Sequence, residues 1–68
     1  PREEALDLNT ATAQQLEALP QIGPSLAQRI VEYREAYGPF QALEDLLNVP
    51  GIGPSILEAI HDHVTVHP

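Results

Sequence analysis

Seven residues of this chain recur thirty positions downstream, and that repeat limits the folds open to it more than any other feature. Leu16, Pro20, Ile22, Gly23, Pro24, Ser25 and Ile30 return as Leu46, Pro50, Ile52, Gly53, Pro54, Ser55 and Ile60. The identities fall where a helix needs an apolar residue or where a turn needs Pro and Gly. Each copy therefore reads as a short helix, a tight hairpin and a longer helix. Neither copy can bury its apolar face alone, so the two should pack against each other, with Gly38-Pro39-Phe40 as the connector. A chain of 68 residues has room for one domain, 1–68, and for no second core.

Local signals set the expected elements. Thr12 followed by Gln15 has the capping-box pattern, which predicts a first helix from Ala13 to Leu19 with Ala11 and Leu16 as a weak staple. Pro24 presets φ for a second helix that runs to about Tyr37. Leu26, Ala27, Ile30, Val31 and Tyr37 form its inward stripe. Gly38 supplies a left-handed cap, Pro39 stops the helix and Phe40 plugs the core. A third helix, Leu43 to Val49, should bury Leu43, Leu46 and Leu47. It starts at Ala42, whose side chain cannot cap, and so forgoes about 1 kcal/mol. A fourth opens at Pro54, turns Ile56, Leu57 and Ile60 inward and fades near His63. The first repeat unit thus covers about 13–37 and the second about 43–63, with arms at 1–8 and 64–68. The leading arm should fray, with Leu6 and Leu8 docking on the core. Val64-Thr65-Val66 is β-branched and extended, a strap packing back on the domain.

Each hairpin feeds a helix N-terminus, where unpaired N–H groups and the positive end of the macrodipole face outward. Phosphate is the usual guest of such an end. Charge pulls the other way. Three arginines and no lysine face ten carboxylates, for a net charge of −7. Residues 1–34 carry −2, and residues 35–68 carry five acids and no cation. Strong nucleic-acid binders present a basic face, and this chain has none. There is no cysteine to make a disulfide or a thiolate metal site. No apolar run is long enough to span a bilayer, so this segment makes no membrane contact of its own. His61 and His63 are two apart and would point to different sides of a continuing helix, and His67 is near the end. No Cys or spaced carboxylate completes a metal set. They read as exposed tail histidines, whose protonation would move the net charge toward −4.

The run Leu16-x-x-Leu19-Pro20-x-Ile22-Gly23-Pro24-Ser25-x-Ala27-x-x-Ile30 resembles the helix-hairpin-helix motif. Three wider stretches, Leu8-Asn9-Thr10-Ala11-Thr12, Tyr33-Arg34-Glu35-x-Tyr37-Gly38-Pro39-Phe40 and Leu43-Glu44-Asp45-Leu46, extend the likeness. Together they are similar to the tandem helix-hairpin-helix domain of the ComEA family of competence DNA receptors, from Leu6 to Val66. The resemblance implies an all-α domain of four to five short helices, two motifs packed about a pseudo-two-fold axis. It implies sequence-independent binding of double-stranded DNA during uptake, at the outer face of a bacterial membrane, with an anchoring segment upstream of Pro1. Carried onto this sequence, Gln21, Ile22, Gly23, Ser25 and Arg29 make the first phosphate site. Gly51, Ile52, Gly53 and Ser55 make the second. Some relatives also hold K+ or Na+ through hairpin carbonyls, which here would be those of Leu47, Val49 and Ile52, or of Glu17, Leu19 and Ile22.

The copies depart from the family pattern in opposite ways. The first has Gln21 in place of the leading glycine but carries Arg29 one turn into its helix. The second keeps Gly51-Ile52-Gly53 but offers Glu58 and Asp62 where cations would help. Both have serine, Ser25 and Ser55, where DNA-binding relatives often have lysine. Two bland readings stay open: the glycines only close αα-hairpins, and Arg29 only pairs with Glu32 on the helix surface. Catalysis is not expected. There is no lysine, no cysteine, no base beside either serine and no room for the pocket that helix-hairpin-helix glycosylases need. Weak duplex binding is the leading expectation. A protein-interaction or scaffolding module that kept the fold and takes a basic protein partner is the alternative.

Overall fold

The computed structural model describes residues 5–66. Its elements run β1 (Leu6–Asp7), α1 (Ala13–Leu16), α2 (Pro24–Tyr37), a 3₁₀ helix (Leu43–Asn48), α3 (Pro54–Ile60), a 3₁₀ turn (His61–His63) and β2 (Val64–Thr65). The sequence repeat becomes a repeat in burial. Leu16, Leu19, Ile22 and Ile30 are buried, and so are Leu46, Val49, Ile52 and Ile60, thirty residues on. From 16–30 to 46–60 the pattern of buried and exposed positions matches except at 27/57 and 29/59. The two units therefore face each other across one aliphatic core, as the pseudo-two-fold all-α arrangement requires.

The capping box at Thr12 forms as expected: Thr12 Oγ1 accepts from the Gln15 amide at 3.1 Å, and Gln15 Oε1 accepts from the Thr12 amide at 2.9 Å. α1 ends at Leu16, however, three residues earlier than the sequence suggests. The amides of Ala18 and Leu19 reach back three residues, to Gln15 and Leu16, so the chain tightens out of α geometry before Pro20. A residue that precedes proline is driven from the α region, which explains the early stop. The expected third helix is 3₁₀ instead of α. Ala42 cannot cap it, but Asp45 does so from within: its Oδ2 accepts from the Gln41 amide at 2.9 Å and the Ala42 amide at 3.3 Å.

Two expected core residues lie outside it. Tyr37 is 76% exposed and Leu47 42% exposed. Leu26, Val31, Leu43, Ile56 and Leu57 are only partly buried, packed against the core's edge. α2 does end at Tyr37, with Gly38 at φ +93 and its amide bonded to the Arg34 carbonyl at 2.9 Å. Its ψ of 179° makes Gly38 an extended positive-φ cap, a conformation glycine alone holds comfortably.

Leu6 to Leu8 and Val64 to Thr65 are tied to each other, while residues 1–4 of the leading arm and 67–68 of the trailing one lie outside the described residues. β1 and β2 pair in parallel, Leu6 with Val64 and Asp7 with Thr65, and the Leu8 amide bonds the Thr65 carbonyl at 2.9 Å. The strap is thus real, and its partner is the described part of the leading arm. Leu8 is wholly buried, and Arg34 Nη1 donates to its carbonyl at 2.8 Å. The connector is held by Asn9. Its Nδ2 donates to the Phe40 carbonyl at 3.0 Å and its Oδ1 accepts from the Phe40 amide at 2.7 Å. One side chain thereby satisfies both backbone groups of the residue that plugs the core.

Candidate functional site

Both hairpins are built on the same corner. Ile22 donates to the Leu19 carbonyl at 3.2 Å, and Ile52 to the Val49 carbonyl at 3.0 Å. Each closes a four-residue turn with proline second and a positive φ third, the type II pattern. The third residue is Gln21 at φ +66 in one corner and Gly51 at φ +96 in the other. An L-residue held there costs about 1–2 kcal/mol, whereas glycine does not resist it. Gln21→Gly should therefore stabilise the fold by about 0.5–1 kcal/mol after glycine's greater unfolded-state entropy is subtracted. Equilibrium urea denaturation reads this directly, and a loss of stability would contradict it.

After the turn, the Gly23 and Gly53 carbonyls accept the first helical bonds, from Ala27 at 2.9 Å and Leu57 at 3.0 Å. The amides of Gly23, Ser25 and Leu26 make no hydrogen bond to any described residue, and neither do those of Gly53, Ser55 and Ile56. Gln21 and Gly51 likewise leave their amides unbonded. Of the candidate residues named from sequence, Ile22 and Ile52 differ. Their amides are spent in the turns and their side chains are buried, so they hold the corners and offer no donor. Leu26 and Ile56 have free amides that the sequence reading passed over. The signal was available: the first four amides of any helix lack an intrahelical acceptor.

Gly23 and Gly53 are not needed for the backbone. Their φ values, −99° and −112°, suit any residue, and a Cβ built at either would meet nothing within 4 Å. They sit at N-caps, where Ser, Asp or Asn would serve the helix at least as well. Neither conformation nor packing accounts for glycine recurring here. Bare backbone facing open space suits the close approach of another molecule.

Gly51 has a different task. A Cβ there would stand 2.8 Å from Arg29 Nη1 and 2.8 Å from Leu26 Cδ2, both on α2. Arg29 Nη1 also donates to the Pro50 carbonyl at 3.1 Å. Arg29 was assigned to the first corner from its position in the first repeat, but it reaches across the pseudo-symmetric interface to the second. It does not serve Glu32, whose Oε2 accepts from Gln28 Nε2 at 3.1 Å. Arg34 is occupied by Leu8, and Arg2 lies outside the described residues. Among those residues Arg29 is thus the one arginine at a corner, placed where the intact Gly51-Ile52-Gly53 copy has only Glu58 and Asp62 nearby in sequence.

The carbonyls considered for a monovalent cation are partly engaged. Leu19 and Val49 each accept one turn bond, which leaves each a single lone pair for an ion. His61 and His63 are exposed. His61 Nδ1 lies 3.3 Å from Asp62 Oδ1, and no group of three potential ligands assembles among the described residues. His67 lies outside the described residues. No helix among them is long and apolar enough to cross a membrane.

A family model described as the helix-hairpin-helix motif matches residues 2–65. The chain belongs to the helix-hairpin-helix family. Within it, the chain is 43% identical over 61 residues to ComE operon protein 1 of Bacillus subtilis, covering 90% of this chain and 30% of that protein. It is 45% identical over 64 residues to endonuclease/exonuclease/phosphatase family domain-containing protein 1 of Danio rerio, but covers only 12% of it. An uncharacterized protein of Haemophilus influenzae is 44% identical over 62 residues, of which the chain spans 55%. The similarity to the Bacillus protein agrees with the ComEA-like resemblance. In each of these relatives the helix-hairpin-helix segment is only part of the length.

Proposed function

We propose that this helix-hairpin-helix chain binds double-stranded DNA without reading its sequence, by presenting free amides of its two corners to phosphate oxygens. The observation that carries this reading is the recurrence, at Gly23 and Gly53, of a glycine that the fold does not require, beside amides with no acceptor among the described residues. Ser25 and Ser55 add a hydroxyl donor each, and Arg29 adds charge at the second corner. Contacts of this kind position a duplex by its backbone and carry no base information. The likeness to the ComEA family supports a part in DNA uptake, at the outer face of a bacterial membrane.

Affinity should be low. A helix N-terminus contributes about 0.3–1 kcal/mol per favourable charge at an exposed site. Non-specific binding reaches a Kd of only about 10⁻⁴–10⁻⁶ M at physiological salt even with ample cations, and this chain carries −7. It belongs at the weak end of that range. Nothing in the corners supports catalysis, and the reading is of a binding module.

Gly53→Glu tests the proposal cleanly, because a Cβ at this position meets no protein atom within 4 Å and the backbone there suits any residue. Its stability to urea should stay within about 0.5 kcal/mol of the parent, as for a surface change. Its affinity for duplex DNA, measured by mobility shift at about 10 mM salt, where electrostatic binding is strongest, should fall at least about tenfold. Unchanged affinity would remove the corner mechanism. No shift of the parent chain even at that salt would favour the alternative, a scaffold for a basic protein.

A further inference from the structure

The face of α2 that looks toward the second corner carries an aromatic ladder for which the hairpins have no use. Its innermost ring, Phe40, is buried, with its backbone clamped by Asn9. Tyr33 stacks on Phe40, ring centroids 5.4 Å apart and planes 17° apart. Tyr37 continues outward from Tyr33 at 4.7 Å with a tilt of 38°. It is the most exposed large apolar side chain among the described residues. Arg29, Tyr33 and Tyr37 are four residues apart, so they share one side of the helix. With Asn48 and Pro50 they line an open groove of about 500 Å³ between α2 and the second corner.

From this arrangement we infer that the groove receives an unpaired nucleotide base, stacked on the Tyr37–Tyr33 ladder, with Arg29 beside the flanking phosphate. The inference rests on the DNA reading above and extends it to strands that leave the duplex. Three features favour a base. The platform is preorganised, since each ring is seated on the next and the last is fixed in the core, so little freedom is lost when a flat ligand lands on it. Arg29 and Pro50 belong to both the groove and the corner, so a strand held at the corner by its phosphates brings its next base to the rings. The groove's rim also carries Glu32, which disfavours a bare anion but tolerates a neutral, planar ring. Aromatic platforms beside a phosphate-holding groove bind single strands with little sequence preference, because every base offers a π-face. The chain should accordingly prefer frayed or overhanging DNA to a blunt duplex.

The test compares the affinity of the 68-residue chain for a blunt duplex and for the same duplex extended by about six unpaired thymidines, a length within the usual range of single-strand sites. Fluorescence anisotropy at low salt should show about tenfold tighter binding to the overhanging DNA. Tyr37→Ala should abolish that gain and leave blunt-duplex affinity within about twofold, while Tyr37→Trp should keep it. Equal affinity of the parent for both DNAs, or a gain that survives Tyr37→Ala, would overturn the inference. So would a proline-rich peptide occupying the groove where the overhang does not, since aromatic-lined grooves also take such segments. Gly53→Glu separates the two claims. If it leaves blunt-duplex binding intact while the overhang gain still depends on Tyr37, the corner mechanism fails and the ring platform stands.

Discussion

Phe40→Ala should lose a large share of the chain's stability and melt far below the parent. The side chain is 1% exposed, and truncating a buried phenylalanine costs about 3–5 kcal/mol through lost burial and the cavity left behind. A domain of 68 residues holds roughly 3–10 kcal/mol in total at the usual stability per residue. The loss is compounded here because Tyr33 stacks on the ring and Tyr37 on Tyr33, so the deletion also strips the inner support from both. Asn9 would still bond the backbone at position 40, but around an empty site. A circular-dichroism melt checks this. Phe40→Leu, which keeps most of the volume, should retain a cooperative transition. A Phe40→Ala melting point within a few degrees of the parent would mean that the connector does not plug the core.

The second large effect is expected at Gly51, and it separates the two glycines of one motif. Gly51→Ala forces a Cβ into a positive-φ position and against Arg29 Nη1 and Leu26 Cδ2, each at 2.8 Å. The backbone cost is about 1–2 kcal/mol. The guanidinium can swing away at the loss of its bond to the Pro50 carbonyl, but Leu26, partly buried at the start of α2, has less freedom. About 2–3 kcal/mol in all is expected, a fall in melting temperature of roughly 8–24 °C at 4–8 °C per kcal/mol. Gly53→Ala, two residues away, meets open space at φ −112 and should be close to neutral. Equal effects at the two positions would contradict this division, in which Gly51 serves the fold and Gly53 the surface.

Much of this was legible beforehand because the repeat and the capping signals act locally. Thr12 with Gln15, Pro24, Pro54 and the Gly38-Pro39 stop each depend on neighbours within a few residues, and each acts as expected. The burial of Leu16 and Ile30 with Leu46 and Ile60 follows from helical periodicity, whereas that of Ile22 and Ile52, expected in the phosphate sites, does not. What escaped the sequence was contact across distance. Nothing near Leu8 in sequence indicates Arg34 or the Thr65 carbonyl. Nothing near Asn9 indicates that its amide clamps Phe40, thirty-one residues away. Arg29 was assigned to the nearer corner because sequence proximity was the only guide, and the packing of α2 onto the second unit sends it to the other. Tyr37 has helical spacing suited to the core, but it lies in the last turn of α2, packed on Tyr33 at the open groove and left exposed.

The candidate site was legible in its glycines and less so in its donors. The reading treated the Ile22 and Ile52 amides as free, whereas closing a type II turn consumes them. Leu26 and Ile56 are apolar side chains at core spacing, and their sequence identity gives no sign of a free backbone donor. The proposed set of donors is Gly23, Ser25 and Leu26 in one corner, and Gly53, Ser55 and Ile56 in the other, whose amides bond no described residue. Gln21 and Gly51 stand just before each set.

An amide-by-amide titration of the ¹⁵N-labelled chain with a short blunt duplex, followed by two-dimensional NMR at low salt, addresses that set most directly. The largest shifts should appear at the Gly23, Ser25, Leu26, Gly53, Ser55 and Ile56 amides, with Ile22 and Ile52 moving much less and both corners responding in parallel. Shifts confined to other surfaces, such as His61–His63 or the exposed side of α2, would contradict the account, as would an unchanged spectrum at saturating DNA.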